Sequence, residues 1–259
     1  MDGFADKIVL VTGGNSGIGA AIAGEFAKRR CRVVITARNA TKLRTAADKM
    51  AQDGAQIRSL VCDITRREQV RRLRDSVQEL WGDVQILINN AGIARAVSFA
   101  DMSDEAWDQT LDTNLTGAYN CCKAFLPPMA EANWGRIINI ASTAAKVGYS
   151  HVSAYTASKH GLLGLTRSLA LEAARTGITV NAICPGYVDD ERTHDNARLM
   201  AEKTGKSVQD ILRLFAASAP QNRLIAVEEV AELACLIASS AMSGMTGQAI
   251  NVDGGAVMI

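Results

Sequence analysis

Tyr155 and Lys159 are four residues apart, so a helix that carries them sets a phenol and an ammonium on one face. A free phenol, with a pKa of about 10, is a poor proton carrier near neutrality. A nearby ammonium, and the positive nicotinamide ring of an oxidised cofactor, favour the phenolate. Lowering the pKa by ~3 units corresponds to about 4 kcal/mol of differential stabilisation. Such a phenol can donate its proton to a carbonyl oxygen as hydride arrives, or accept it in the reverse direction. Ser142, thirteen residues before Tyr155, can hydrogen-bond the same oxygen and steady a developing alkoxide. These three residues point to hydride transfer at a ketone or secondary alcohol.

A hydride donor needs a seat, and Thr12-Gly13-Gly14-Asn15-Ser16-Gly17-Ile18-Gly19 offers one. Glycines placed after a strand and before a helix let the helix N-terminus approach a pyrophosphate, whose charge the amides and dipole stabilise. The second β-branched run ends in Thr36-Ala37-Arg38-Asn39. NAD-preferring sheets carry an acid near this point for the adenine ribose. Ala37 takes that place here, and the Arg38 guanidinium can pair with a 2′-phosphate. NADP(H) is the preferred cofactor, with NAD(H) the alternative.

These groups require a scaffold. Apolar runs at 7–12, 32–36, 56–61, 85–89, 135–141, 178–183 and 248–252 alternate with helically spaced stretches at 17–30, 40–53, 66–81, 104–130, 153–176 and 227–239. Strands without polar alternation are covered on both faces, as in a parallel sheet between helices. The alternation predicts a doubly wound α/β sheet of about seven strands with right-handed crossovers. Residues 187–226 break the rhythm, with helical character over 196–217. A long insertion at the carboxyl edge of such a sheet predicts a substrate lid on one domain spanning 1–259.

Composition removes other classes. With 28 Lys+Arg against 27 Asp+Glu, the chain lacks the basic excess that nucleic-acid binding draws on. Arg66, Arg67, Arg71, Arg72 and Arg74 are interleaved with Glu68, Asp75 and Glu79, as on a solvated helix. The cysteines at 31, 62, 121, 122, 184 and 235 form no C-x-x-C pair and no metal-ligand spacing with histidine, so buried reduced thiols and no metal are expected. No apolar stretch reaches the ~18 to 20 residues of a membrane helix. Met1-Asp2-Gly3-Phe4-Ala5-Asp6-Lys7 runs into Ile8–Val11 without a basic leader, so a cytoplasmic location is expected.

Asn89-Asn90-Ala91-Gly92 closes the fourth strand, Asn114 stands within Asp112-Thr113-Asn114-Leu115-Thr116-Gly117, and Pro185-Gly186 follow the sixth strand. Together with the glycine turn, Ser142 and Tyr155-Thr156-Ala157-Ser158-Lys159, these motifs make the whole chain closely resemble the short-chain dehydrogenase/reductase family. The resemblance implies an enzyme of Rossmann-type fold whose catalytic residues are Asn114, Ser142, Tyr155 and Lys159. Tyr155 and Lys159 would also contact the cofactor, Lys159 holding the nicotinamide ribose, and Asn114 would support a water chain that resupplies the proton. The dinucleotide would lie on Gly13, Asn15, Ser16, Gly17, Ile18 and Gly19, with Arg38 at the ribose. Asp63 and Ile64 would flank the adenine, while Asn90, Ala91 and Gly92 line the ribose and pyrophosphate. Pro185, Gly186 and Val188 would touch the nicotinamide. One position departs from the family: a threonine commonly follows the Val of P-G-x-V by two residues, whereas this chain has Asp190. Its contact is left unassigned.

The stretches 140–151 and 174–182 resemble aromatic-polyketide ketoreductases and their 3-oxoacyl-carrier-protein and acetoacetyl-CoA reductase relatives. That implies NADPH-linked reduction of a 3-oxoacyl thioester or related β-keto substrate. After Gly92 the chain reads Ile93-Ala94-Arg95-Ala96, without the Pro-Gly-Gly of one polyketide group. Arg175 suits carrier-protein docking, but 127–133 supplies no second base, so a CoA ester or free ketone stays open. Arg95, His151 and Tyr187 are candidate substrate residues by position, and Leu199, Met200, Leu212 and Phe215 are candidates to close over an acyl chain.

Two other readings are open: an NAD(P)-dependent dehydrogenase of a secondary alcohol or 3-hydroxyacyl-CoA, and an inactive dinucleotide sensor or subunit. Ala118, Cys121, Cys122, Ala154, Leu162, Leu165 and Leu169 give the helices at 104–130 and 153–176 apolar residues beyond one stripe. With the resemblance, this predicts a homotetramer, a dimer being the alternative.

Overall fold

The computed structural model describes residues 3–51 and 54–259, so the first two positions of the chain and the last two of the helical run expected at 40–53 lie outside it. Strands β1 (Ile8–Thr12), β2 (Arg32–Ala37), β3 (Ile57–Val61), β4 (Ile86–Asn89), β5 (Gly135–Ile140), β6 (Ile178–Pro185) and β7 (Ala249–Val252) form one sheet in the order β3-β2-β1-β4-β5-β6-β7. Every pairing is parallel. The helices are α1 (Gly17–Lys28), α2 (Ala40–Met50), α3 (Arg67–Trp81), α4 (Asp104–Leu111), α5 (Gly117–Glu131), α6 (Ser153–Glu172), α7 (Glu191–Thr204), α8 (Val208–Ala217) and α9 (Val227–Ala238).

The unalternating apolar strands have the predicted cause. Val9, Val11, Val33, Ile35, Ile86, Ile88 and Ile138 pack with α1, α2 and α9. Their neighbours Ile8, Leu10, Val34, Leu87 and Ile137 pack with α3, α5 and α6 on the opposite face. Both faces are therefore dry, and the fold is a Rossmann-type doubly wound α/β sheet. Strand order reverses between β1 and β4, which opens a crevice at the carboxyl ends of those strands.

A buried polar ladder ties the sheet to α6. Asn89 Nδ2 donates to Asn139 Oδ1 at 2.8 Å, Asn139 Nδ2 to Thr166 Oγ1 at 2.8 Å, and Thr166 Oγ1 to the Leu162 carbonyl at 2.8 Å. In this interior each unmade bond would cost the desolvation of its group, so the ladder fixes the position of α6 against β4 and β5.

Three expectations change. The run at 104–130 is broken, because a π-helical turn at Asp112–Thr116 separates α4 from α5 and buries Asn114. The run at 196–217 is two helices: Gly205, at φ 70°, ends α7 in the left-handed region, and Ser207 caps α8 through the Asp210 amide. Finally, Ala118, Cys121, Cys122, Ala154 and Leu162 are buried in the chain's own core. Those five do not supply the second apolar face that was read into them; Tyr119 and Leu171 are the exposed large apolar residues on α5 and α6. All six cysteines are buried. Among the described residues no helix is long and apolar enough to cross a membrane.

Candidate active site

The turn after β1 is braced from behind. Asn90 Nδ2 donates to the carbonyls of Thr12 at 3.0 Å and Gly13 at 3.1 Å, while the amides of Asn90 and Ala91 both donate to Thr12 Oγ1. A methyl group on Gly19 would fall 2.3 Å from the Gly13 oxygen and 2.4 Å from Asn90 Nδ2, so only glycine lets α1 start this close to the turn. Ser16 takes the N-cap position of α1 but its side chain caps no amide, and the first turn of the helix has no acid. Free amides, a positive dipole end and a spare hydroxyl fit a phosphate group. Asn90 thus acts through the turn as well as bordering the crevice.

Tyr155 and Lys159 lie on the first two turns of α6, with Lys159 Nζ 5.7 Å from the Tyr155 ring centroid. Lys159 is only 3 % exposed, and its ammonium donates to the Ile140 carbonyl at the end of β5 at 2.7 Å. Burial, with the Arg192 guanidinium adding to it, pulls the Lys159 pKa down to about 7. Burial pushes the Tyr155 phenol up, while Arg192 and the adjoining Ser142 hydroxyl pull it down and Asp190 opposes them. This differs from the lowering expected from the Tyr–Lys spacing, because the spacing registers the ammonium but not the desolvation. Ser142, just beyond β5, accepts from the Ala144 amide at 3.1 Å and so is held at the mouth of the crevice.

Asn114 secures the same region from the π-helical turn. Its Oδ1 accepts from the Ile93 amide at 2.8 Å, and its Nδ2 donates to the Ile93 carbonyl at 2.9 Å and to Ser158 Oγ at 3.0 Å. Ser158 Oγ in turn donates to the Tyr155 carbonyl at 2.7 Å. The side-chain amide of Asn114 is committed to fixing the segment after Gly92 and the first turn of α6.

A cavity of about 790 Å³ gathers Ile18, Asn90, Ser142, Tyr155, Lys159, Pro185, Gly186 and Val188 with Arg95, His151 and Tyr187. Leu199, Met200 and Phe215 of α7 and α8 also line it. Leu212 does not, since Ile211 takes the buried position on α8. Tyr187 stacks on Phe215 with ring centroids 4.4 Å apart, closing part of the rim. His151 is exposed at φ 64°, and its carbonyl accepts from the Val97 amide at 2.8 Å.

The remaining sequence candidates sit outside this cavity. Arg38 is exposed at the end of β2 and makes no ion pair among the described residues. Asp63 Oδ1 accepts from the Thr65 amide and hydroxyl at 3.0 and 2.8 Å. Ile64 is buried, and its carbonyl accepts from Asn120. Ser16 and Gly17 face a smaller hollow shared with Asp190 and Arg192.

Sequence reasoning passed over Ser158, Arg192 and Lys203. Ser158 lies inside the Tyr155–Lys159 motif and was readable there; Arg192 and Lys203 border the cavity only because α7 folds across it. Asp190, left unassigned, is the N-cap of α7 and accepts from the Thr193 amide at 2.9 Å.

The short chain dehydrogenase family profile matches residues 7–200. A 3-oxoacyl-[acyl-carrier-protein] reductase of Pseudomonas aeruginosa is 35% identical over 252 residues, covering 97% of this chain and 98% of that protein. A D-beta-hydroxybutyrate dehydrogenase of Rhizobium meliloti is 34% identical over 252 residues, covering 96% and 98%. Among solved structures, a tryptophan variant of actinorhodin polyketide ketoreductase with NADPH superposes with a TM-score of 0.94 at 37% identity, covering 99% of both chains.

Proposed function

The chain belongs to the short-chain dehydrogenase family, and on that premise we propose that it is an NADP(H)-linked ketoreductase acting on a 3-oxoacyl thioester or related β-keto substrate. The observation that carries this reading is the meeting of Ser142, Tyr155 and Lys159 on one cavity with the Pro185–Val188 segment, above the β1–β4 crevice. The relatives named for 3-oxoacyl and polyketide ketone reduction support the substrate class.

NADPH, when bound, supplies the hydride. The glycine turn and the α1 N-terminus would hold its pyrophosphate, Arg38 its 2′-phosphate, Asp63 and Ile64 its adenine, and Lys159 its nicotinamide ribose. Tyr155 donates a proton from its hydroxyl to the substrate carbonyl oxygen, and Ser142 donates a hydrogen bond to the same oxygen. Burial pushes the Tyr155 phenol up, and the Arg192 guanidinium and the Ser142 hydroxyl pull it back down, toward easier proton transfer. Lys159, poised near pH 7, strengthens the positive field at the phenol whenever it is charged. Asn114 keeps Tyr155 in place through Ser158. Residues 187–226 act as a lid on a single domain, and α7 and α8 exclude water from the cavity.

A second reading has its own support. Arg95, Arg192 and Lys203 line the cavity without ion-pair partners among the described residues, a lining that suits a free carboxylate. The hydroxybutyrate dehydrogenase relative fits that chemistry. Oxidation of NADPH and NADH, side by side, with acetoacetyl-CoA, free acetoacetate and bulky cyclic ketones separates the two. Fast NADPH-linked reduction of the thioester supports the ketoreductase; turnover of free acetoacetate alone, with NADH, supports the second reading.

We place the enzyme in the cytoplasm as a homotetramer. Six buried thiols accord with a reducing compartment, and exposed Tyr119 and Leu171 offer apolar contacts on α5 and α6. Sedimentation showing a stable monomer at micromolar concentration would overturn the assembly.

A further inference from the structure

Asp190 touches both the first turn of α7 and the phosphate turn. Its Oδ1 accepts from the Thr193 amide at 2.9 Å and caps the helix. Its Oδ2 lies over Gly17, where an added methyl group would fall 2.8 Å from that oxygen. Gly17, at φ 51°, opens α1, the end of the helix that favours an anion. Of the neighbouring acids, Glu191 faces Lys42 at 3.7 Å, Asp195 pairs with Arg198, and Asp189 bonds His194 Nε2 at 2.7 Å. Asp190 has no ion-pair partner among the described residues, although Arg192 borders the same hollow.

We infer that Asp190 is a positioning residue that tunes cofactor affinity by charge, lending the α1 N-terminus a carboxylate from the lid that a dinucleotide pyrophosphate must bind against. The inference rests on reading residues 12–19 as the dinucleotide seat. Capping alone does not require the charge, since asparagine and threonine also cap helices. An acid here couples two events: a pyrophosphate arriving at the turn repels the residue that starts α7, so the lid base and the cofactor share one electrostatic balance. The consequence is weaker holding and faster release of the dinucleotide than an uncharged cap would give.

The test is fluorescence titration of the full chain with NADPH, without substrate, for the wild type, Asp190→Asn and Asp190→Thr. Both variants keep a capping oxygen, and circular dichroism checks that the helices persist. Adenosine 2′-phosphate, which lacks the pyrophosphate, is titrated in parallel. Both variants should bind NADPH about tenfold more tightly at low salt, with the gap narrowing at high salt and adenosine 2′-phosphate binding unchanged. NADPH affinity that stays the same or falls in Asp190→Asn overturns the inference. So does equal tightening of adenosine 2′-phosphate, which would mean a general change in the fold. If no form binds NADPH, the dinucleotide reading fails and takes this inference with it.

Discussion

Lys159 Nζ donates a 2.7 Å hydrogen bond to the Ile140 carbonyl, while the same nitrogen lies 5.7 Å from the centroid of the Tyr155 ring. The ammonium is thus anchored to the carboxyl end of β5 rather than to the Tyr155 phenol. That anchor holds it in the cavity that Tyr155 and Ser142 also line, at the cost of burying a cation.

The burial has a pH signature. The folded pKa of Lys159 is lowered from 10.5 to about 7, so between those values the unfolded chain binds more protons. The penalty is full below pH 7 and vanishes as pH rises past 10.5. Its upper bound is on the order of 5 kcal/mol, against about 1.5 to 3 kcal/mol for the charged hydrogen bond to Ile140. Lys159→Met should therefore be the more stable protein at pH 6, and the wild type should gain on it steadily toward pH 10. Denaturant midpoints at both pH values check this; a constant difference would contradict it.

The ladder from Asn89 through Asn139 to Thr166 predicts a purely structural defect. Asn139→Ala leaves Asn89 Nδ2 only the Cys122 sulfur as acceptor and takes the donor from Thr166 Oγ1, which keeps its bond to the Leu162 carbonyl, and should cost about 1 to 3 kcal/mol in urea unfolding. A loss below ~0.5 kcal/mol would mean that the ladder does not hold α6 to the sheet.

Arg38 stands exposed at the end of β2, beyond Ala37, with no acid at either position. Arg38→Ala should raise KM for NADPH about tenfold while leaving KM for NADH nearly unchanged, the pattern of a lost phosphate contact. Equal effects on both cofactors would remove the 2′-phosphate assignment.

Much of this was legible in the sequence because parallel strands buried on both faces write themselves as apolar runs, as at Ile8–Val11 and Ile86–Ile88. The Tyr155–Lys159 spacing and the glycine turn were legible for another reason: local geometry fixes them. The π-helical turn at Asn114 was hidden, since one extra residue in a turn barely alters helical spacing. The break between α7 and α8 did leave a signal, Gly205 followed by Ser207 and Asp210, a helix stop and an N-cap. The raised Tyr155, the buried Lys159 and the reach of Arg192 depend on how α6 and α7 pack, and no spacing rule carries that information.

The most direct test of the account compares wild type with Tyr155→Phe in NADPH oxidation with acetoacetyl-CoA, alongside NADPH titration of both. Turnover should fall about 10²- to 10⁴-fold in Tyr155→Phe while NADPH still binds, as removal of a general acid requires. Turnover retained in Tyr155→Phe, or absent from the wild type with every ketone while NADPH still binds, would contradict it.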